Sequence, residues 1–205
     1  MSQHTIINVG RQFGSGGRSV ADALGEKLGI PVYDDELIAK AAEQSGFNPD
    51  LFKHSDESKH VSRLGNIFSS NRFGSFTHSG ISESELFKIQ SDAIREIAAN
   101  NDAIFVGRAS DYVLRDLECL DVFVMAPLEE RVVRVSARLG ISQEEAESLI
   151  IKRDKGREDY YNFFTFSHWG VASNYDLCID SSILGIEGTA DFIIDFGRKS
   201  NLILI

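Results

Sequence analysis

The chain lacks any unbroken apolar run of about 18 residues, so the sequence offers no candidate for a helix through a membrane. No leader is expected either, because the start runs directly into Ile6-Ile7-Asn8-Val9, and a cytoplasmic protein with no membrane partner is expected. Cysteine is scarce. Cys119 and Cys178 each flank or sit in an apolar run, which suits buried thiols better than a disulfide, and the five scattered histidines make no zinc-spaced cluster with them. Basic charge is outnumbered, with 21 Lys and Arg against 31 Asp and Glu and a formal net charge of −10. That balance argues against duplex nucleic acid as the main partner, since neutralising its phosphates needs a basic face. A small anion held by a local group of arginines is compatible with it.

What is present fits one compact enzyme domain. The 205 residues include 42% hydrophobic and 25% charged, enough for a single sizeable core. Short apolar runs at Ile6–Val9, Pro31–Tyr33, Ala103–Val106, Val122–Ala126 and Leu177–Ile179 lack polar alternation, as strands buried on both faces do. Between them come helical faces: Leu86, Ile89, Ala93 and Ile97; Leu128, Val132, Val135 and Leu139; Ile186, Ala190, Ile193 and Gly197. Ser142 with Glu145 forms a capping box for a further helix through Ala146, Leu149 and Ile150. This alternation predicts an α/β fold, a five-stranded parallel sheet flanked by helices. The long gap from about 35 to 102 is mixed and polar, and its part from 54 to 82, rich in Ser, Gly, Asn and His, reads as the least ordered stretch.

The first apolar run is followed by Gly10-Arg11-Gln12-Phe13-Gly14-Ser15-Gly16-Gly17-Arg18-Ser19 and then by the helical pattern of Val20, Ala21, Leu24 and Leu28. A strand feeding a glycine loop into a helix N-terminus gathers unpaired amides and the positive end of a helix dipole at one place, an arrangement that binds phosphate. The loop has no lysine where a Walker A motif needs one. Matching Gly17-Arg18-Ser19 to the end of that motif puts Arg18 in the lysine place and makes Ser19 the magnesium ligand. Matching Gly14-Ser15-Gly16 instead to the G-x-G of related phosphate-binding loops drops Gly17 on the lysine and leaves Arg18 one residue late. A merely flexible turn is the third reading. A dinucleotide fingerprint fails, for it would need glycine at Ser19.

In a parallel sheet, ligands bind beyond the carboxyl ends of the strands. Asp34, Asp35 and Glu36 follow the second strand; Gly107, Arg108, Ala109, Ser110 and Asp111 follow the third; Lys152 to Tyr161 follow the capped helix. Each has an ordinary alternative: the aspartates as helix caps, Arg108 as a surface ion pair, the charged run as a solvated face. Four such features on one sheet edge favour a site.

Several segments together resemble the cytidylate-kinase-like P-loop proteins, a branch of the nucleoside monophosphate kinases. They are Gly10 to Arg18, Ile30-Pro31-Val32-Tyr33-Asp34-Asp35-Glu36-Leu37-Ile38, Ile104 to Tyr112, Ala126-Pro127-Leu128-Glu129-Glu130-Arg131, Asp154 to Tyr161, and Tyr175 to Ser182. The resemblance spans nearly the whole chain. It implies a single P-loop kinase domain with an acceptor-binding insertion at about 36–100 and a short lid at about 152–168. It implies ATP held by Gly14, Ser15, Gly16, Gly17, Arg18 and Ser19, with Mg²⁺ at Ser19, and an acceptor nucleotide held by Asp34 and Arg108. Arg18, Arg153 and Arg157 would carry the catalytic charge. Ala109 stands where orthodox cytidylate kinases have aspartate. The expected activity is γ-phosphoryl transfer from ATP to a small acceptor such as CMP or dCMP, a reaction that needs positioning and cations more than covalent help. The alternatives are a kinase for another small molecule and a nucleotide-binding regulatory module with little turnover.

Overall fold

The computed structural model describes residues 4–35, 37–38 and 83–205. The segment 54–82, and all of the expected insertion except 37–38 and 83–100, lies outside the described residues. The strands are β1 (Ile6–Arg11), β2 (Val32–Tyr33), β3 (Ala103–Val106), β4 (Leu120–Met125) and β5 (Leu177–Asp180). They form one parallel sheet in the order β2-β3-β1-β4-β5. The main described helices are α1 (Gly17–Leu28), α2 (Glu83–Asn100), the short α3 (Ser110–Val113), α4 (Leu128–Leu139), α5 (Gln143–Thr165) and α6 (Ser181–Lys199).

Successive strand residues point to opposite faces, and here each face is covered. Ile7, Val9, Ile104, Val106, Val122 and Val124 pack with residues of α1 and α6. Ile6, Ala103 and Phe105 pack with Ile94 and Ile97 of α2 on the other side. This double burial is why the runs showed no polar alternation. Asn8 is the buried exception, and its amide donates to Asp121 Oδ1 at 2.8 Å.

β4 is shifted from the expected Val122–Ala126 to Leu120–Met125 and β5 ends one residue later, at Asp180, while three further boundaries also differ from expectation. Pro31 has no N–H and stays outside β2, although its carbonyl accepts from Ile104 N at 3.0 Å. β1 runs on to Arg11, which is registered against Val124 of β4. The capping box of Ser142 and Glu145 is present, but the helix that it starts continues for 23 residues to Thr165. The charged run from Lys152 is therefore inside α5 and not beyond it. Gly156 alone does not stop the helix; it ends at Phe166, whose left-handed backbone (φ 54°) lets its N–H reach Asn162 O. With β1 central, and chain connections running to both sides of it, the crevice of the sheet opens at the end of β1.

Candidate active site

At that crevice the glycine loop is braced from three helices. Gln12 N–H donates to Val124 O at 3.1 Å and Gln12 Oε1 accepts from Ala126 N at 3.2 Å, pinning the loop's start to the end of β4. Ser15 is buried; its Oγ accepts from Gly17 N, and its carbonyl takes Arg134 Nη1 at 3.0 Å and the Ser181 hydroxyl. Gly16 turns the chain into α1 with a left-handed backbone (φ 81°), and a Cβ there would lie 2.6 Å from Ile186 Cδ1 of α6. Gly17 N–H is taken by Ser15 Oγ, and the next amides of α1, those of Arg18 and Ser19, have no partner within the helix, so they are available to an anion in the adjoining cavity of about 270 Å³.

Phe13, at the loop's crest, is clamped at both backbone groups. Its N–H donates to Asp154 Oδ1 at 2.6 Å and its carbonyl accepts from Arg131 Nη1 at 3.2 Å, while Arg131 and Asp154 pair with each other at 2.6 Å. Burial raises the Asp154 carboxyl above its ordinary range, against the pull of the Phe13 amide and of Arg131. Arg138 and Arg157 stand 5.5 Å from the Phe13 ring centre and Arg153 stands 6.0 Å from it, within cation–π range. Three arginines thus surround the aromatic tip of the phosphate loop.

Across the crevice, Gly107, Arg108 and Ala109 follow β3 with three successive left-handed backbones (φ 78°, 58° and 52°). Two of them carry a Cβ, so the surroundings must hold this turn. The buried Arg108 pairs with Asp35, and its guanidinium lies 5.5 Å from the Tyr160 ring centre. Three residues beyond Arg108, Asp111 accepts from the Tyr161 hydroxyl at 2.7 Å. Burial lifts the Asp111 carboxyl above its ordinary value. Burial and the nearby Asp111 charge also raise Tyr161 and Tyr175, which remain neutral phenols. Only about 30 Å³ is open here, between Arg11, Arg108, Asp111, Arg157, Tyr161 and Trp169. A larger cavity of about 630 Å³ lies at the opposite end of the sheet, near His4, Leu114 and Leu117, away from the glycine loop.

Gly14, Gly16, Gly17, Arg18, Ser19 and Arg157 line the loop's cavity, Ser15 is buried behind it, Arg153 stands at the Phe13 ring, and Arg108 lines the second cavity. Ser19 is exposed on the first turn of α1. Arg18 turns aside: its guanidinium pairs with Asp22 at 3.0 Å and with Asp34. Asp34 also caps the turn after β2, accepting from Leu37 N at 3.0 Å, which is the ordinary alternative weighed for it from sequence. Among the described residues no group of three or more His, Cys, Asp or Glu could hold a metal. A magnesium ion arriving with nucleotide phosphates fits the Ser19 hydroxyl, because such ions take few protein ligands beside phosphate and water. Asp111 was named after the third strand and Asp154 within the charged run, but neither was given a role from sequence, and nor were Arg11, Arg131 and Arg134. The one available signal was Phe13, an apolar residue in a glycine loop that needs a partner.

The strand order, the glycine loop on α1 and the helices on both faces define a P-loop kinase fold. Among solved structures the chain resembles an uncharacterised protein from Eubacterium ventriosum, with a TM-score of 0.68 and 26% identity over 94% of this chain and 98% of that one. It shares its fold with the shikimate kinase of Bacteroides thetaiotaomicron, with a TM-score of 0.53 and 14% identity over 95% of this chain and 98% of that one. The chain belongs to the cytidylate kinase-like family, whose sequence model matches residues 6–183. It is 28% identical to the cytidylate kinase of Methanopyrus kandleri over 187 residues, covering 86% of this chain and 84% of that enzyme. With the cytidylate kinase of Methanobrevibacter smithii it shares 27% identity, covering 92% and 96% of the two chains. The 29% match to the cytidylate kinase of Sulfolobus acidocaldarius spans 63% of that protein. Family and fold together support a nucleotide kinase, an enzyme of phosphoryl transfer.

Proposed function

We propose that this chain transfers the γ-phosphoryl group of ATP to a nucleoside monophosphate, with CMP or dCMP as the favoured acceptor. The observation that carries this reading is the pairing of two cavities, one at the glycine loop and one at the Arg108 turn, with Arg11 and Arg157 lining both. Such a layout sets a triphosphate and an acceptor phosphate end to end across shared cations. Tyr160, Tyr161, Trp169 and Tyr175 on the second cavity suit a flat base. The relatives named cytidylate kinase support the same choice.

In this reading the amides from Gly14 to Ser19 hold the β- and γ-phosphates, and Ser19 meets the Mg²⁺, which neutralises charge on them when bound. Arg108 takes the acceptor's phosphate or base. Asp34 holds a sugar or base donor once Arg18 is drawn onto phosphate. Arg153 and Arg157, near the middle of α5, act within a lid of about 152–168, exchanging the Phe13 ring for phosphate oxygens. Exclusion of water then strengthens each ion–phosphate contact.

The test is steady-state ADP formation with ATP, Mg²⁺ and a panel of acceptors: CMP, dCMP, UMP, AMP and small hydroxy acids. ADP release dependent on CMP or dCMP supports the reading. Turnover of a hydroxy acid alone makes the chain a kinase for another small molecule. Tight ATP binding with no acceptor-dependent ADP favours a regulatory module, a reading motivated by the absent loop lysine and the Arg18–Asp34 pair.

A further inference from the structure

The loop lacks its lysine, and the arginine nearest that place in sequence, Arg18, is turned toward Asp22 and Asp34. Phosphoryl transfer still needs a cation at the junction of donor and acceptor, where charge spreads over the equatorial oxygens. Resting on the kinase reading above, we propose that Arg11 supplies it and is a catalytic residue. Arg11 is the last residue of β1, with its backbone registered against Val124, so its side chain springs from the rigid centre of the sheet. Its carbonyl accepts from Arg157 Nη1 at 3.4 Å. The stem crosses the start of α1, where a Cβ on Gly17 would lie 2.5 Å from Arg11 Cβ. The guanidinium then reaches the Arg108 turn, where a Cβ on Gly107 would collide with Nη1 and lie 2.9 Å from Cζ. Glycine at both positions leaves the guanidinium a channel from the phosphate loop to the acceptor turn.

In the step, an oxygen of the acceptor's phosphate attacks the γ-phosphorus. The bond from that phosphorus to the β–γ bridging oxygen breaks, and its electron pair leaves on ADP. The attacking oxygen is already ionised at neutral pH, so no base is needed and Arg11 keeps its protons. The planar guanidinium binds a γ-oxygen and an acceptor oxygen together, which a lysine's point charge does less well.

The experiment compares wild type, Arg11→Ala and Arg11→Lys with CMP and dCMP as acceptors, alongside binding of a non-hydrolysable ATP analogue by calorimetry and thermal unfolding. Arg11→Ala should lose about 10²-fold or more in kcat, the scale of one preorganised donor, with less than about fivefold change in analogue affinity. Arg11→Lys should regain at least about tenfold of that loss. Added methylguanidinium should restore part of the Arg11→Ala turnover, which a merely structural loss would not allow. An Arg11→Ala kcat within about threefold of wild type overturns the proposal and leaves the kinase reading standing. So does a parallel fall in analogue affinity and kcat with no rescue by methylguanidinium. A wild-type protein without acceptor-dependent ADP formation overturns the kinase reading, and this proposal with it.

Discussion

Replacing Asp154 with alanine should loosen the phosphate loop and the fold together. The Asp154 side chain is 17% exposed and that of its partner Arg131 is 9% exposed. Removing the carboxylate leaves a buried guanidinium with the Phe13 carbonyl and takes the acceptor from Phe13 N–H. Breaking a buried pair by deleting one partner costs about 3–5 kcal/mol, and the residual exposure of Asp154 lowers that to about 2–3 kcal/mol. For a domain of this size each kcal/mol moves Tm by about 2–4 °C, so Asp154→Ala should melt about 5–10 °C below wild type. Calorimetry of Asp154→Ala, Arg131→Met and the double variant measures the coupling directly. The double variant should recover much of the loss, because no charge is then left buried alone. ATP-analogue affinity should fall with the single change, since Phe13 is no longer held. An Asp154→Ala protein that melts within about 2 °C of wild type, or a cycle with coupling below about 0.5 kcal/mol, refutes the clamp.

Arg108→Ala removes a charge-assisted contact worth about 1.5–3 kcal/mol, so acceptor KM should rise about 10- to 100-fold with little change in the KM for ATP; equal losses for both substrates make Arg108 structural. Asp121 is raised from 3.8 to about 6, first by burial and then by the charges of Asp111 and Asp176, against the Asn8 bond. Its native form therefore binds a proton more tightly than the unfolded chain does. The stability this gives is full below about pH 4, is lost as pH rises to about 6, and amounts to about 2 kcal/mol after discounting partial exposure. Asp121→Asn should flatten the fall in Tm over that window, and identical slopes in the two proteins would rule Asp121 out as the source.

The strands were legible because each is a short apolar run, sealed on both faces in the three central strands and half-buried in the edge strands β2 and β5, and the loop because Gly14, Gly16 and Gly17 crowd between a strand and a helix. The capped start of α5 was legible too, since Ser142 and Glu145 act over three residues. Its end was not. The mixed charges from Lys152 to Asp159 carry no helical stripe, and the helix persists because those residues meet the phosphate loop on one side and form ion pairs such as Lys155–Asp159 on the other. The Phe13 clamp joins residues 141 apart in the chain, a distance at which spacing is silent. Arg18 was placed by analogy with lysine motifs, and pairing with Asp34, sixteen residues away, sets its direction in the structure. The left-handed turn at Arg108 and Ala109 gave no signal beyond Gly107, since neither residue type favours that backbone.

The uninterrupted course of α5 makes it a ruler with a fixed helical phase. Asp154 touches the glycine loop, while Arg157, Tyr160 and Tyr161, three to seven residues further on, line the cavity at the Arg108 turn. At 3.6 residues per turn these positions share one face over about 10 Å, roughly the span needed to address two neighbouring cavities. Deleting or inserting one residue between Asp154 and Tyr160 would rotate everything beyond it by about 100° and slide it by about 1.5 Å, turning Tyr160 and Tyr161 away while Asp154 stayed in place. Point substitutions on the outer face, as at Lys155, leave that phase intact. Chain length in this stretch is thus under tighter constraint than residue identity.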